Sequence, residues 1–372
     1  MYLLGVKVLY LFPTTMSEKA GSSAWISAAI AAGLGLLGLW GWVLWIGATG
    51  GKGFVASLRE TVGRILGDVT ALFLAAMLTA LTSLDIRMFV GGAVIGIVPE
   101  FPIDALLYIA ILSAAYGAWL GLEAVGRAAT FFLAPTLLSL AVVIYGVSRT
   151  FHLSELMPLW GLGFRPTVLQ GLANAGLFGA VPAVAIVKSY LRKPEEIPSR
   201  AAAGVLAAAA ILIAALVVLA GVFPYPMSTR TVEPLGVMAR AVTLGRFVQR
   251  LEALFTFTWF FGAAVQGSFA FMLLLILLSQ LSNTGTYRPF MPGLAFLVFG
   301  IAGIPSDTLR AAEVLDAVFT TTTGSVALGI GWVLYAVAIA RGIGRDSGRP
   351  RQGIAAAPKG SEPVSAQKAR RA

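Results

Sequence analysis

Residues 201–222 read AAAGVLAAAAILIAALVVLAGV, twenty-two positions without a charged side chain. About 20 apolar residues in a helix cross a hydrocarbon core of roughly 30 Å, so this stretch spans a membrane. Inside lipid no water satisfies backbone amides and carbonyls, which leaves helices and closed barrels as the only spanning structures. The run lacks the two-residue alternation of a barrel strand and is therefore a helix. The whole chain carries the same signal. Of its 372 residues 58% are hydrophobic and 12% charged, with mean hydropathy +0.86, where a soluble domain holds about a quarter charged residues. The fold class is an all-α integral membrane protein.

Working outward from 201–222, similar segments lie at about 2–16, 23–47, 68–97, 103–121, 124–147, 168–190, 248–282, 289–305 and 317–340. With 201–222 as the seventh, they make a bundle of about ten helices. The breaks carry turn chemistry, as in GATGGKG at 47–53, VPEFP at 98–102 and RKPEEIPSR at 192–200. Residues 1–341 form one transmembrane domain. Residues 342–372, rich in Gly, Pro, Ser and basic side chains, cannot bury a core and read as a flexible cytoplasmic tail. If the first segment runs outward, seventeen Lys and Arg fall on the cytoplasmic side and eight outside, which places both termini in the cytoplasm. That topology, with attraction to anionic lipid, accounts for the net charge of +10 without a nucleic-acid partner.

The first segment is short. Only MYLLGVKVLYLF precedes Pro13, with Lys7 in its middle. A cleaved signal peptide would need a basic leading region, which is missing. The expectation is instead a discontinuous or incomplete first helix, interrupted around Gly5 or near Pro13 to Thr15; a start assigned too far downstream would also produce it. A second interruption is expected in the sixth segment, where GLANAGLFGAVP at 171–182 sets Gly171, Asn174, Gly176, Gly179 and Pro182 inside a span. One reading is close helix packing through small residues. The other is a broken helix lining a cavity, since interrupted segments at positions one and six of ten fit two inverted five-helix repeats with a midplane site between them. Freed amides at a half-helix N-terminus suit a carboxylate, which points to an amino acid or similar small zwitterion.

The eighth segment begins RLEALFTFTWFFGAAVQ at 250–266. At 100° per residue, Glu252, Thr256, Trp259, Ala263 and Gln266 share a stripe about 80° wide. Ionisable and amide groups are costly against lipid, so the stripe faces protein or water. It serves as glue between helices, with Glu252 paired to an arginine, or as part of a ligand or ion pathway. Asp85 and Arg87, late in the third segment, read as a gate or as a local charge pair at the interface. Glu123 and Arg127 are spaced as neighbours on one helix face. With one histidine, His152, and no cysteine, the chain offers no metal cluster, thiol nucleophile or disulfide. No enzyme and no cofactor is expected.

Several stretches resemble one family. RLEALFTFTWFFGA, preceded by PLGVMARAVTLGRFVQ, is similar to the eighth helix of the endospore germination permeases, the B-subunits of spore germinant receptors. EKAGSSAWISAAIAAGLGLLGLW at 18–40, YGAWLGLEAVGRAATFFLAP at 116–135 and ELMPLWGLGFRPTVLQGL at 155–172 resemble the same family in the same order. Arg250, Leu251, Glu252 and Trp259 match its R-L-E followed by an aromatic, while its first helix begins about ten residues earlier. The resemblance implies the inverted-repeat fold of the amino acid/polyamine/organocation transporter superfamily. It also implies a nutrient sensor in the spore inner membrane, or in a bacterial plasma membrane. Such a sensor binds a small germinant, often an amino acid, beside a soluble-domain-bearing membrane subunit and a lipoprotein subunit. The pocket would lie among segments 1, 3, 6 and 8, with Asn174, Gly176 and Gly179 as backbone cradle. Thr256, Trp259 and Gln266 would come from segment 8, and Leu81 or Ser83 from segment 3. The same fold also serves an amino acid transporter coupled to protons or sodium, in which Glu252 would carry the coupling, or a scaffold that has lost its ligand.

Overall fold

A computed structural model describes residues 12–50, 52–96, 98–223, 225–230, 237–239 and 251–343, with backbone alone for 12–13, 96, 229–230 and 251–255. Gly5, Arg250 and residues 344–372 of the tail lie outside the described residues, as does the side chain of Glu252.

Thr14–Thr49 is a single helical run with an apolar stretch long enough to span, but 36 helical residues extend about 54 Å, far more than a bilayer core. Gly21 divides the run. Its φ of 66° is open to glycine and strained for other residues, and it separates α1 (Phe12–Ala20) from α2 (Ala24–Thr49) through a 3-10 turn at Gly21–Ser23. Among the described residues Pro13 to Thr15 lie within the helix, and the chain before Phe12 lies outside them. Pro13 sits in the first turn of α1, where its missing N–H has no intrahelical partner to lose.

The remaining helices are α3 (Phe54–Val62), α4 (Arg64–Gly96), α5 (Ile103–Trp119), α6 (Leu122–Gly146), α7 (Phe164–Ala173), α8 (Ala183–Val187), α9 (Ile197–Val222), α10 (Leu251–Leu281), α11 (Met291–Ala302), α12 (Thr308–Val314) and α13 (Gly324–Ala340). A π-helical segment, Leu315–Thr323, joins α12 to α13. Among the described residues seven helices are long and apolar enough to cross a membrane, and the shorter apolar helices at Ile103–Trp119 and Arg288–Ala302 complete the pattern. The nine segments from 23–47 onward therefore fall where hydropathy placed them, with boundaries moved by a few residues, while most of the first, at about 2–16, lies outside the described residues.

One helix escaped that reading. α3 is a nine-residue amphipathic helix between the second and third spans, with Phe54, Val55, Leu58 and Thr61 buried. Phe54 meets Trp42 and Trp45 at 6.0 and 5.8 Å, and Trp45 Nε1 donates to Thr61 Oγ1 at 2.9 Å. From the other face Arg59 binds Asp68 on α4 at 2.6 Å, Asn283 Oδ1 at 3.2 Å and the Leu281 carbonyl at 3.3 Å. α3 thus ties α2, α4 and α10 together at what we call the Arg59 end of the bundle.

α2 and α13 form a reciprocal clasp. Trp42 lies over Gly331 and Trp332 over Gly41, so that a Cβ on either glycine would meet indole and backbone atoms at 2.7–2.9 Å. Each indole N–H donates across the contact, Trp42 to the Ala327 carbonyl at 3.0 Å and Trp332 to the Leu37 carbonyl at 2.9 Å. Lipid gives no hydrophobic force between helices, so association relies on such close packing and on hydrogen bonds. At the opposite, Arg87 end, Asp307 caps α12 by accepting the Arg310 N–H at 2.8 Å and the Ser306 hydroxyl at 3.0 Å. These bonds hold its carboxyl below the ordinary carboxylate range.

Two outcomes are expected in thermal unfolding of the purified protein. Gly41→Ala overpacks the clasp and costs about 1–3 kcal/mol, whereas Gly47→Ala, with nothing within 4 Å of its new Cβ, is neutral or stabilising by up to about 1 kcal/mol. The Asp307 cap contributes stability above the unfolded carboxyl pKa of about 3.9 and loses it as pH falls through the lowered folded value. Asp307→Ala should therefore lower Tm by a constant amount from pH 7 to 5, and the difference from the parent should shrink toward pH 3.

Candidate functional site

Asp85 and Gln266 meet in the middle of the bundle. Gln266 is the central residue of α10, and its Nε2 donates to Asp85 Oδ2 on α4 at 2.9 Å. The residues are 3% and 8% exposed. The inward stripe read along the eighth segment holds for its described members: Trp259 and Gln266 are buried and Thr256 is half-buried. Toward the Arg87 end, Phe89 stacks edge-on with Trp259 at 5.1 Å and with Phe260 at 5.0 Å, forming an aromatic cover one to two turns above the pair.

Below this cover lies a cavity of about 120 Å³ between α4, α5 and α10. Thr82, Asp85, Ile86 and Phe89 line it from α4, Ile109, Ala110 and Ser113 from α5, and Ala263, Gln266 and Gly267 from α10. Its polar groups converge on one corner of an otherwise apolar wall. The α4 positions differ from the expected ones: Leu81 is buried elsewhere, and the Ser83 hydroxyl donates to the Thr79 carbonyl of its own helix at 2.8 Å. The α5 wall has no counterpart among the sequence candidates, because Ala and Ser in an apolar span carry no distinguishing signal.

Asp85 and Arg87 do not act as a two-residue unit. Positions i and i+2 on a helix point about 200° apart, so Asp85 turns to α10 while Arg87 Nη2 reaches the carbonyls of Pro305 and Ser306 at 3.2 and 3.4 Å. Arg87 therefore fastens the α11–α12 loop to the Arg87 end of α4. Lys188, grouped by sequence with the exposed cytoplasmic charges, is 6% exposed. Its Nζ donates to the Ile46 carbonyl at 3.1 Å and to Thr49 Oγ1 at 3.3 Å. A cation is favoured at those last carbonyls of α2 by the helix dipole.

The interruption of the sixth segment is present. After α7 the chain runs through a 3-10 turn at Asn174–Phe178 and further turns before α8. Its amides are already committed, Gly179 N to the Gly176 carbonyl at 2.8 Å, Val181 N to Phe178 at 3.0 Å and Ala183 N to Ala180 at 3.0 Å. The expected open cradle is instead a closed, tightly packed corner. A Cβ on Gly176 would stand 2.2 Å from the Thr320 carbonyl, and one on Gly179 would stand 2.4 Å from Gly324 Cα. Asn174 Oδ1 accepts from Gln170 at 3.1 Å, while its Nδ2 is buried without a protein partner. These glycines face the π segment and α13. The lining of the Asp85–Gln266 cavity contains none of them.

Residues 1–308 match the family described as spore germination protein. The chain belongs to that family. Among solved structures it is similar to a mutant manganese transporter of Eremococcus coleocola, at TM-score 0.54 and 14% identity over 91% of this chain and 75% of that one. A likeness at that identity establishes the fold alone, a transporter-like bundle of helices. A search of curated proteins gives no match. The family member described here is thus a multi-pass, germination-related, transporter-like membrane protein.

Removing the central hydrogen bond should be measurable. Gln266→Leu takes a donor from a buried carboxylate, and interhelical bonds in membranes are worth about 0.6–2 kcal/mol. A loss of about 1–2 kcal/mol in unfolding free energy is expected, with a smaller loss for Gln266→Asn if the shorter amide still reaches.

Proposed function

We propose that this chain is the membrane subunit of a nutrient-sensing germinant receptor, which holds a small germinant such as an amino acid in its transporter-like core and triggers germination. The observation that carries the reading is the interrupted sixth span packed glycine-to-backbone against the π segment of the last span. Irregular backbone at membrane depth is tolerated only where protein or an aqueous cavity satisfies it, and two irregular segments in contact make an element with two alternative packings. A germinant that binds one packing better shifts the population toward it. Separation of the two segments would expose Asn174, Gly176 and Gly179 to a ligand, while Thr256, Trp259 and Gln266 on α10 would form the opposite wall. The Arg59 end, with Lys52, Arg59, Arg200 and Arg288, faces the cytoplasm in this reading, and so do both termini. A soluble-domain-bearing membrane subunit and a lipoprotein subunit would carry the signal onward in the spore inner membrane.

A second reading is favoured by Asp85, an ionisable side chain buried inside the bundle. Ionisable side chains within spans mark proton or ion pathways, so a proton- or sodium-coupled amino acid transporter would use Asp85 as its coupling group.

A panel of amino acids tested against the purified protein should contain at least one that raises Tm saturably. Gly176→Val should abolish that rise. A folded protein that no member stabilises would sink the sensor reading, and substrate-dependent accumulation of labelled amino acid in proteoliposomes, lost in Asp85→Asn, would establish transport instead.

A further inference from the structure

We infer that the cavity between α4, α5 and α10 is a binding site for a small ammonium group carried on a short aliphatic chain. Its lining holds none of the glycines of the interruption and shares only Gln266 with the wall proposed above, and the inference does not depend on the nutrient reading. Beside the Ser113 hydroxyl on the α5 wall, the polar groups of the cavity are Thr82, Asp85 and Gln266, which chiefly offer acceptors. The Thr82 hydroxyl hydrogen is spent on the Leu78 carbonyl at 2.6 Å, leaving its oxygen lone pairs. One Gln266 amide hydrogen is spent on Asp85. Gln266 Oε1 is buried with no partner, on a residue 3% exposed that lines the cavity.

A buried acceptor left unmet costs about 1–3 kcal/mol, so the site favours an occupant that brings N–H or O–H donors. A carboxylate at the same corner selects a cationic donor over a neutral one, because a charge in a low-dielectric interior is stabilised chiefly by an opposite charge. A primary ammonium supplies three donors from one atom. Apart from Ser113 the rest of the wall is apolar, with Ile86, Phe89, Ala110, Ala263 and Ala270 among it, and solvates methylene groups and not water. An apolar cavity of roughly 150 Å³ takes a benzene-sized molecule, so about 120 Å³ suits an amine of about three or four carbons. Ile109, on the α5 wall, is 57% exposed. The cavity therefore reaches the surface between helices, on the side that faces lipid, and an amine partitioned into the bilayer has a route to it.

The test is thermal unfolding of the purified full-length protein, followed by tryptophan fluorescence, with n-propylammonium chloride titrated against equal KCl, NH4Cl and n-propanol. The expected result is a saturable rise in Tm with n-propylammonium, at most a small fraction of it with NH4Cl, and none with KCl or n-propanol. Gln266→Leu should weaken the apparent affinity at least tenfold. Ala263→Phe, which fills the cavity and leaves every acceptor in place, should abolish the rise and decides the matter should Gln266→Leu fail to fold. No rise with n-propylammonium, an equal rise with n-propanol, or a rise that survives Ala263→Phe would each overturn the proposal; equal rises with NH4Cl and n-propylammonium would overturn the aliphatic part.

Discussion

In a hydrocarbon surround each backbone amide and carbonyl must find a partner within the protein, and the architecture around the sixth span follows from that constraint. Between Asn174 and Ala183 the regular i→i+4 ladder stops, and the chain satisfies itself with i→i+3 bonds. Such turns are narrow and leave carbonyls pointing sideways. Gly176 and Gly179 let the backbone of the last span approach within van der Waals distance, so that no lipid reaches those carbonyls. The last span answers with its own irregularity. In Leu315–Thr323 the widened turns are filled by threonine hydroxyls, with Thr320 donating to the Asp316 carbonyl at 2.7 Å and Thr323 to the Val318 carbonyl at 2.7 Å. Four consecutive threonines in a membrane helix are thus the means by which a π segment keeps its carbonyls bonded.

The clasp of Trp42 and Trp332 lies two to three turns along α13 from this junction and joins it to a different helix, α2. It holds α2 and α13 in register, while the segment preceding α13 is held by its packing on Gly176 and by the ion pair between Lys19 on α1 and Asp316. Since Asp316 is also bonded to Thr320, a change at the ion pair passes directly into the π segment.

Hydropathy made the spans legible, and the density of Gly, Asn and Pro at 171–182 made the interruption legible. What the interruption does was not legible, since glycine serves equally for close packing and for exposing amides to a ligand. Here the described contacts are packing contacts. α3 was missed because a nine-residue amphipathic helix is averaged away in any window long enough to detect a span. Turning α10 at 100° per residue placed Gln266 inward, yet its partner stands 181 positions away, and nothing local identifies it. Sequence proximity had suggested Arg87 for Asp85, although helix geometry sends the two side chains to opposite sides.

The polar groups of the bundle then sort by depth. Arginines and lysines at the two ends, such as Arg59, Arg87 and Lys188, bind backbone carbonyls that helix termini leave unsatisfied. They are explained by the need to finish helices. Asp85 and Gln266 terminate nothing, because both lie inside unbroken helices whose backbone is already bonded. A leucine pair at those positions would pack the same helices without burying a carboxylate or an unmet amide oxygen. Their presence inside the bundle is therefore not demanded by the helices they belong to. Gln266 Oε1 is among several buried polar atoms of the described structure that no protein group meets, and in a transporter-like bundle an ionisable group beside such an acceptor is a candidate site for an occupant.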